Sequence, residues 1–171
     1  YWLEKTIGKE KLTEYDIAVR INEFRQKQKN YKGESFSPII GYKEHGAMVH
    51  LKVDQQNALE VKKDDILLID SGGHYLDGTT DITRTFALGK PTNQQKSDFT
   101  LALQGVIALS EAVFPEHTRG YHLDILARKA LWKKGLNYGH GTGHGVGFFL
   151  NVHEGPMSIR MDFNDQTIKE G

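Results

Sequence analysis

The sequence predicts an α/β fold of the α+β kind, in one domain spanning residues 1–171. Three features point to it. Apolar residues recur at helical spacing over 13–29, 93–114 and 122–134. The stretches 34–40, 47–53 and 66–86 instead alternate or run apolar over a few residues, as strands do. The length of 171 residues suits one hydrophobic core.

Taken in order, Tyr1 to Ile7 reads as the end of a helix stopped by Gly8. Thr13 is an N-cap with Asp16 in the capping-box position, and the helix it opens runs to about Lys29. Ile17, Ile21, Phe24 and Gln28 share one face, with Val19 beside it. Glu34 to Ile40 is an edge or irregular strand, because Pro38 cannot donate to a ladder. Gly41 to Gly46 is a loop, and the alternating run Ala47 to Val53 is a strand carrying His50.

Ile66 to Ile69 is a buried strand that ends in Asp70. Ser71-Gly72-Gly73 turns the chain, and Asp77-Gly78 makes a second tight turn. From Thr79 to Phe86 the period is two, so Asp81 points away from the face of Ile82. Antiparallel pairing here can set Asp70 and Asp81 side by side. Two such carboxylates repel unless a proton or cation lies between them. Hard oxygen donors suit a divalent ion.

Asn93 to Phe114 is a long helix whose apolar face includes Phe99, Leu101, Leu103, Val106, Ile107, Leu109 and Val113. Pro115 to Gly120 is a loop. His122 to Lys134 is a helix with Leu123, Ile125, Leu126, Ala130 and Leu131 inward and Gly135 after its end. His117 and His122 have no assigned role. Tyr138 to Gly147 holds five glycines in ten residues, with His140 and His144 embedded. It matches neither phosphate-loop pattern. Phe148 to Val152 is strand-like, His153-Glu154-Gly155-Pro156 follows, and Met157 to Gly171 reads as loop.

Lys and Arg number 22 and Asp and Glu 22, which argues against a nucleic-acid or acidic-membrane surface. With no cysteine, disulfides and thiolate chemistry are excluded, and a reducing compartment fits. No signal peptide or membrane-spanning run is evident. The start at Tyr1 without Met and the stop at Gly171 read as fragment boundaries. GxSxG and HExxH are absent. The remaining chemistry is two aspartates with histidines 50, 140, 144 and 153. These suit manganese, cobalt or zinc, or histidines that bind substrate carbonyls and move protons.

Asp70 and Asp81 within DGTTDITRTF, followed by HGTGHGVGFFLNVHEGP, resemble the pita-bread metallopeptidases, and among them the Xaa-Pro aminopeptidase branch. The resemblance covers nearly the whole chain. It implies an antiparallel sheet with helices outside, truncated here at its C-terminal part. It implies two divalent ions, most commonly manganese, with Asp70 on one ion, Asp81 bridging and His144 on the other. His153 and His50 would act in catalysis, and His50, His140 and His153 would line the substrate cleft. The reaction implied is release of the N-terminal residue from a peptide with proline second, by a homodimeric cytoplasmic protein. Two further glutamate ligands of the family would fall beyond Gly171, so the fragment alone is expected to be inactive. The alternatives are a metal-free pita-bread hydrolase, against which the two aspartates argue, and a non-catalytic protein-binding module.

Overall fold

In the computed structural model, which describes residues 1–170, the most apolar run forms the middle of a sheet. That strand, β3 (Ile66–Ser71), lies between β2 (Ile39–Tyr42) and β6 (Ile82–Ala87), antiparallel to both. A second antiparallel sheet joins β1 (Tyr31–Glu34), β4 (Gly73–Tyr75) and β5 (Gly78–Thr79). Helices α1 (Trp2–Thr6) and α2 (Glu14–Gln26) precede them. Helices α3 (Asn93–Ser110) and α4 (Gly120–Trp132) and the hairpin of β7 (Gly143–Gly145) and β8 (Glu154–Ile159) follow. Mixed helices with antiparallel sheets are the class the sequence predicted.

The chain divides into two compact units, Tyr1–Pro91 with Val146–Val152, and Thr92–Gly145 with the residues from His153 onward.

In the first unit, Ile7, Leu12, Ile17, Ile40, Tyr42, Val61 and Leu67 form one buried cluster. Ile17 is the inward point of α2, whereas Val19 and Phe24 stay exposed. The predicted capping box is present: Thr13 Oγ1 accepts from the Asp16 N–H, and the Thr13 N–H donates to Asp16 Oδ2. Glu14, fully buried, ties the unit together. It accepts from the backbone N–H groups of Tyr42 at 2.7 Å and Leu59 at 2.8 Å, and its Oε2 lies 2.9 Å from His45 Nδ1.

That carboxylate accounts for one correction. Ala47 to Val53 is not a strand. Lys43–Ala47 is a 3-10 turn drawn in by His45 and Glu14, and residues 48–53 pair with no neighbour as a ladder. The strand at 34–40 is likewise two short strands, β1 and β2, in different sheets, parted at Ser35–Pro38. Phe148 to Val152 bends rather than extends, with the Gly147 N–H donating to the Asn151 carbonyl at 2.9 Å.

In the second unit, α3 begins at a Thr92–Gln95 capping box and crosses α4 at Gly105. A Cβ at Gly105 would collide with the Ala127 carbonyl, so glycine there permits the close approach. Of the wide apolar face predicted for α3, Leu101 is buried, and Phe99, Leu103, Val106 and Ile107 are exposed. One packed helix covers one stripe, and that face is wider than a stripe. The inward face of α4 also differs from expectation. Leu123 and Ala127 are buried as apolar residues, but Asp124 and Arg128 are buried with them and Ile125 is exposed. His122 caps this helix, its Nδ1 accepting from the Arg119 N–H at 3.3 Å. Gly135, at φ +70°, follows the helix end as predicted. The predicted loop from Met157 onward begins as strand, because β8 runs to Ile159 against β7.

Candidate functional site

In the first unit Asp70 is placed by strand register and Asp81 by the segment that leads into β6. Asp70 pairs with Thr83 across the β3–β6 ladder and with Ile39 of β2 on the other side. Asp81 lies one residue before β6 begins, two before Thr83, next to the end of the ladder that Asp70 occupies. Both aspartates are half-buried.

The end of β3 is clamped beside them. Arg25 on α2 donates from Nη2 to the Ser71 carbonyl at 3.1 Å and to Ser71 Oγ at 3.0 Å. A Cβ on Gly72 would strike the Thr80 carbonyl and Ser35 Oγ, so the turn between the aspartates closes only around glycine. The Gly73 N–H donates to Thr80 Oγ1 at 2.9 Å. Glu34, opposite Gly73, has its carboxyl pushed above the ordinary range by burial, with the Arg25 guanidinium opposing the shift.

His50 is on no strand. It follows the 3-10 turn at φ +62°, where the Leu51 N–H donates back to the Met48 carbonyl at 3.1 Å. Histidine is among the residues that tolerate this region. Its side chain is exposed.

In the second unit His144 sits in β7 opposite Ser158. Its Nδ1 lies 2.9 Å from the Gly145 carbonyl. A carbonyl can only accept, so Nδ1 is the donor in this contact, as in histidines whose other nitrogen binds a metal. His140 repeats the arrangement, Nδ1 lying 2.7 Å from the Gly141 carbonyl. The His144 and His153 rings meet edge to face at 4.2 Å between centroids. His140 instead stacks on Tyr138 at 4.7 Å.

Aspartate oxygens at the end of a ladder, and an imidazole oriented by a backbone carbonyl, are donor types that suit borderline-hard divalent ions. The sequence reading missed the buried Asp124–Arg128 pair behind the histidines. The signal was available: Asp and Arg four residues apart on a helix, flanked by Leu123 and Ala127.

Comparison with known proteins agrees with this chemistry. The model of metallopeptidase family M24 matches residues 2–171, and the chain belongs to that family. Its architecture is accordingly the pita-bread fold. It is 47% identical over 173 residues to a protein of Laccaria bicolor named probable Xaa-Pro aminopeptidase P, covering 99% of this chain and 27% of that protein. It is 49% identical over 167 residues to aminopeptidase P2 of Arabidopsis thaliana, covering 97% and 24%. A crystal structure of X-prolyl aminopeptidase from Caenorhabditis elegans, described as a cytosolic enzyme with a di-nuclear active site, superposes with a TM-score of 0.87 at 43% identity. The match covers 93% of this chain and 26% of that one. The chain thus spans about a quarter of the length of the relatives it matches.

Proposed function

We propose that the whole protein is a metal-dependent aminopeptidase that releases the N-terminal residue from peptides with proline in second position. The observation that carries this reading is the donor set, with Asp70 in the β3–β6 ladder, Asp81 just before β6, and His144 in β7 with its Nδ1 against the Gly145 carbonyl. The family and the names of the relatives support it.

In this reading Asp70, Asp81 and His144 hold two divalent ions, manganese by preference. When bound, the ions supply Lewis acidity to water and to the peptide carbonyl. The histidines do the rest. His153 contacts the scissile peptide and His140 walls the proline side. His50 lines the same cleft. Residues 1–171 are a portion of one catalytic domain, and the whole protein acts as a cytoplasmic homodimer.

The test is metal content and cleavage of an Arg-Pro-Pro-type peptide by the whole protein, beside Asp81→Ala. About two manganese ions per chain, with metal and activity lost in the variant, is the expected result. A folded protein that holds no metal and gains no activity from added manganese would sink the reading and leave a binding module in its place.

A further inference from the structure

The deepest charge of the second unit takes no part in that chemistry. Arg128 and Asp124, one turn apart on α4, are each 2% exposed. Arg128 Nε–H donates to Asp124 Oδ2 at 2.6 Å. An ion pair alone would leave most of a guanidinium's N–H groups without acceptors, which burial does not permit. They are spent on the segment that carries His140. Nη1 donates to the Asn137 side-chain oxygen at 3.0 Å and to the Tyr138 carbonyl at 2.6 Å. Nη2 donates to the His140 carbonyl at 2.7 Å.

The guanidinium carbon also lies 3.9 Å from the centre of the Tyr138 ring, the ring on which His140 stacks. Asp124 completes the set by accepting from Thr142 Oγ1 at 2.5 Å. One turn of α4 thereby holds Asn137, Tyr138, His140 and Thr142. The two histidines of the glycine-rich segment are held differently. His144 is placed by the β7–β8 ladder. His140 lies in no strand, and its carbonyl is held by Arg128.

We infer that Arg128 is a positioning residue for His140, acting through the backbone of residues 137–142, and that its effect is on peptide binding rather than on the metal ions. This rests on the reading of His140 as a substrate-side group. Lysine cannot substitute. It keeps the charge beside Asp124 but offers one compact ammonium in place of a planar fork that reaches several carbonyls.

The experiment compares the whole manganese-loaded protein with Arg128→Lys, His140→Ala and the double variant. It measures KM and kcat on an Xaa-Pro peptide, manganese content, and hydrogen exchange of residues 137–142 by mass spectrometry. In Arg128→Lys, KM should rise on the order of 10- to 100-fold. Manganese content should hold, and exchange in 137–142 should speed up. The double variant should be no worse than His140→Ala, because both act through one imidazole.

Unchanged KM and unchanged exchange in 137–142 would overturn the inference. So would a joint fall of kcat, manganese content and melting temperature with effects that add to His140→Ala, which marks a merely structural residue. If Arg128→Lys does not fold, Thr142→Val, which leaves the ion pair intact, is read by the same criteria. If the unaltered protein neither binds manganese nor cleaves the peptide, the functional reading fails instead, and the exchange arm alone still decides whether Arg128 holds the segment.

Discussion

Each unit buries a charged side chain that gathers backbone partners, Glu14 in the first and Arg128 in the second, and the two work in opposite senses. Glu14, 0% exposed, is an anion that collects donors: two backbone N–H groups and a histidine. Arg128, 2% exposed, is a cation that collects acceptors: a carboxylate, a side-chain amide oxygen and two carbonyls. The difference teaches what each segment lacked. Tyr42 ends β2, where a ladder runs out and an N–H needs an acceptor. Tyr138 and His140 lie in a segment without a ladder, where carbonyls need donors. In both places a charged side chain supplies what regular structure does not.

The sharpest way to break the comparison is Glu14→Ala. It leaves two buried N–H groups and His45 without their acceptor, and we expect a loss of about 3–5 kcal/mol in denaturant titration. Hydrogen exchange should quicken first in β2. Arg128→Met should cost a similar amount by stranding Asp124, but adding Asp124→Leu should recover about 1–2 kcal/mol of it, since a buried pair is replaced more cheaply than halved. No second change can rescue Glu14→Ala in that way, because two of its three partners are backbone N–H groups. Equal recovery in both units would erase the distinction.

Gly72→Ala follows, at roughly 1–3 kcal/mol for forcing the turn between the aspartates open. Thr92→Ala, which removes a cap from α3, should cost about 1 kcal/mol. Glu34→Gln is the smallest and depends on pH. Burial raises the Glu34 carboxyl in the folded state, so its charged form opposes folding once pH rises above the ordinary glutamate pKa of about 4.3. The variant should therefore be slightly more stable than the unaltered chain near pH 7, and the gap should close below pH ~4. A gap that widens on acidification would contradict that sign.

The parts legible in the sequence were those fixed by neighbours along the chain. The Thr13–Asp16 box and the apolar strand carrying Asp70 are local patterns and are present, although β3 runs on to Ser71 and the predicted strand from Thr79 is interrupted at Thr80 and Asp81 before β6 begins at Ile82. The parts that misled were decided by distant groups. Ala47 to Val53 alternates like a strand, yet Glu14, far earlier in the chain, engages His45 and curls the preceding segment into a 3-10 turn. Met157 to Ile159 looks like loop because the stretch it opens is mostly polar, yet it belongs to the strand that pairs with that of His144. Nothing near Arg128 in the sequence announces that the carbonyls of 138 and 140 return to it. The histidines were found by their motif, but which backbone holds each one is a tertiary fact.

The position of β3 has a consequence in time as well as in space. Asp70 lies on a strand zipped to a neighbour on either side, at Ile39 and at Thr83. Its local opening requires both ladders to part together, which places it among the slowest-opening segments of the unit. In the proposed two-ion reading, an ion held by Asp70 would meet a carboxylate whose backbone is paired on both sides. Its residence time would be governed by the exchange of water and ligand around the ion, not by the breathing of the protein beneath it.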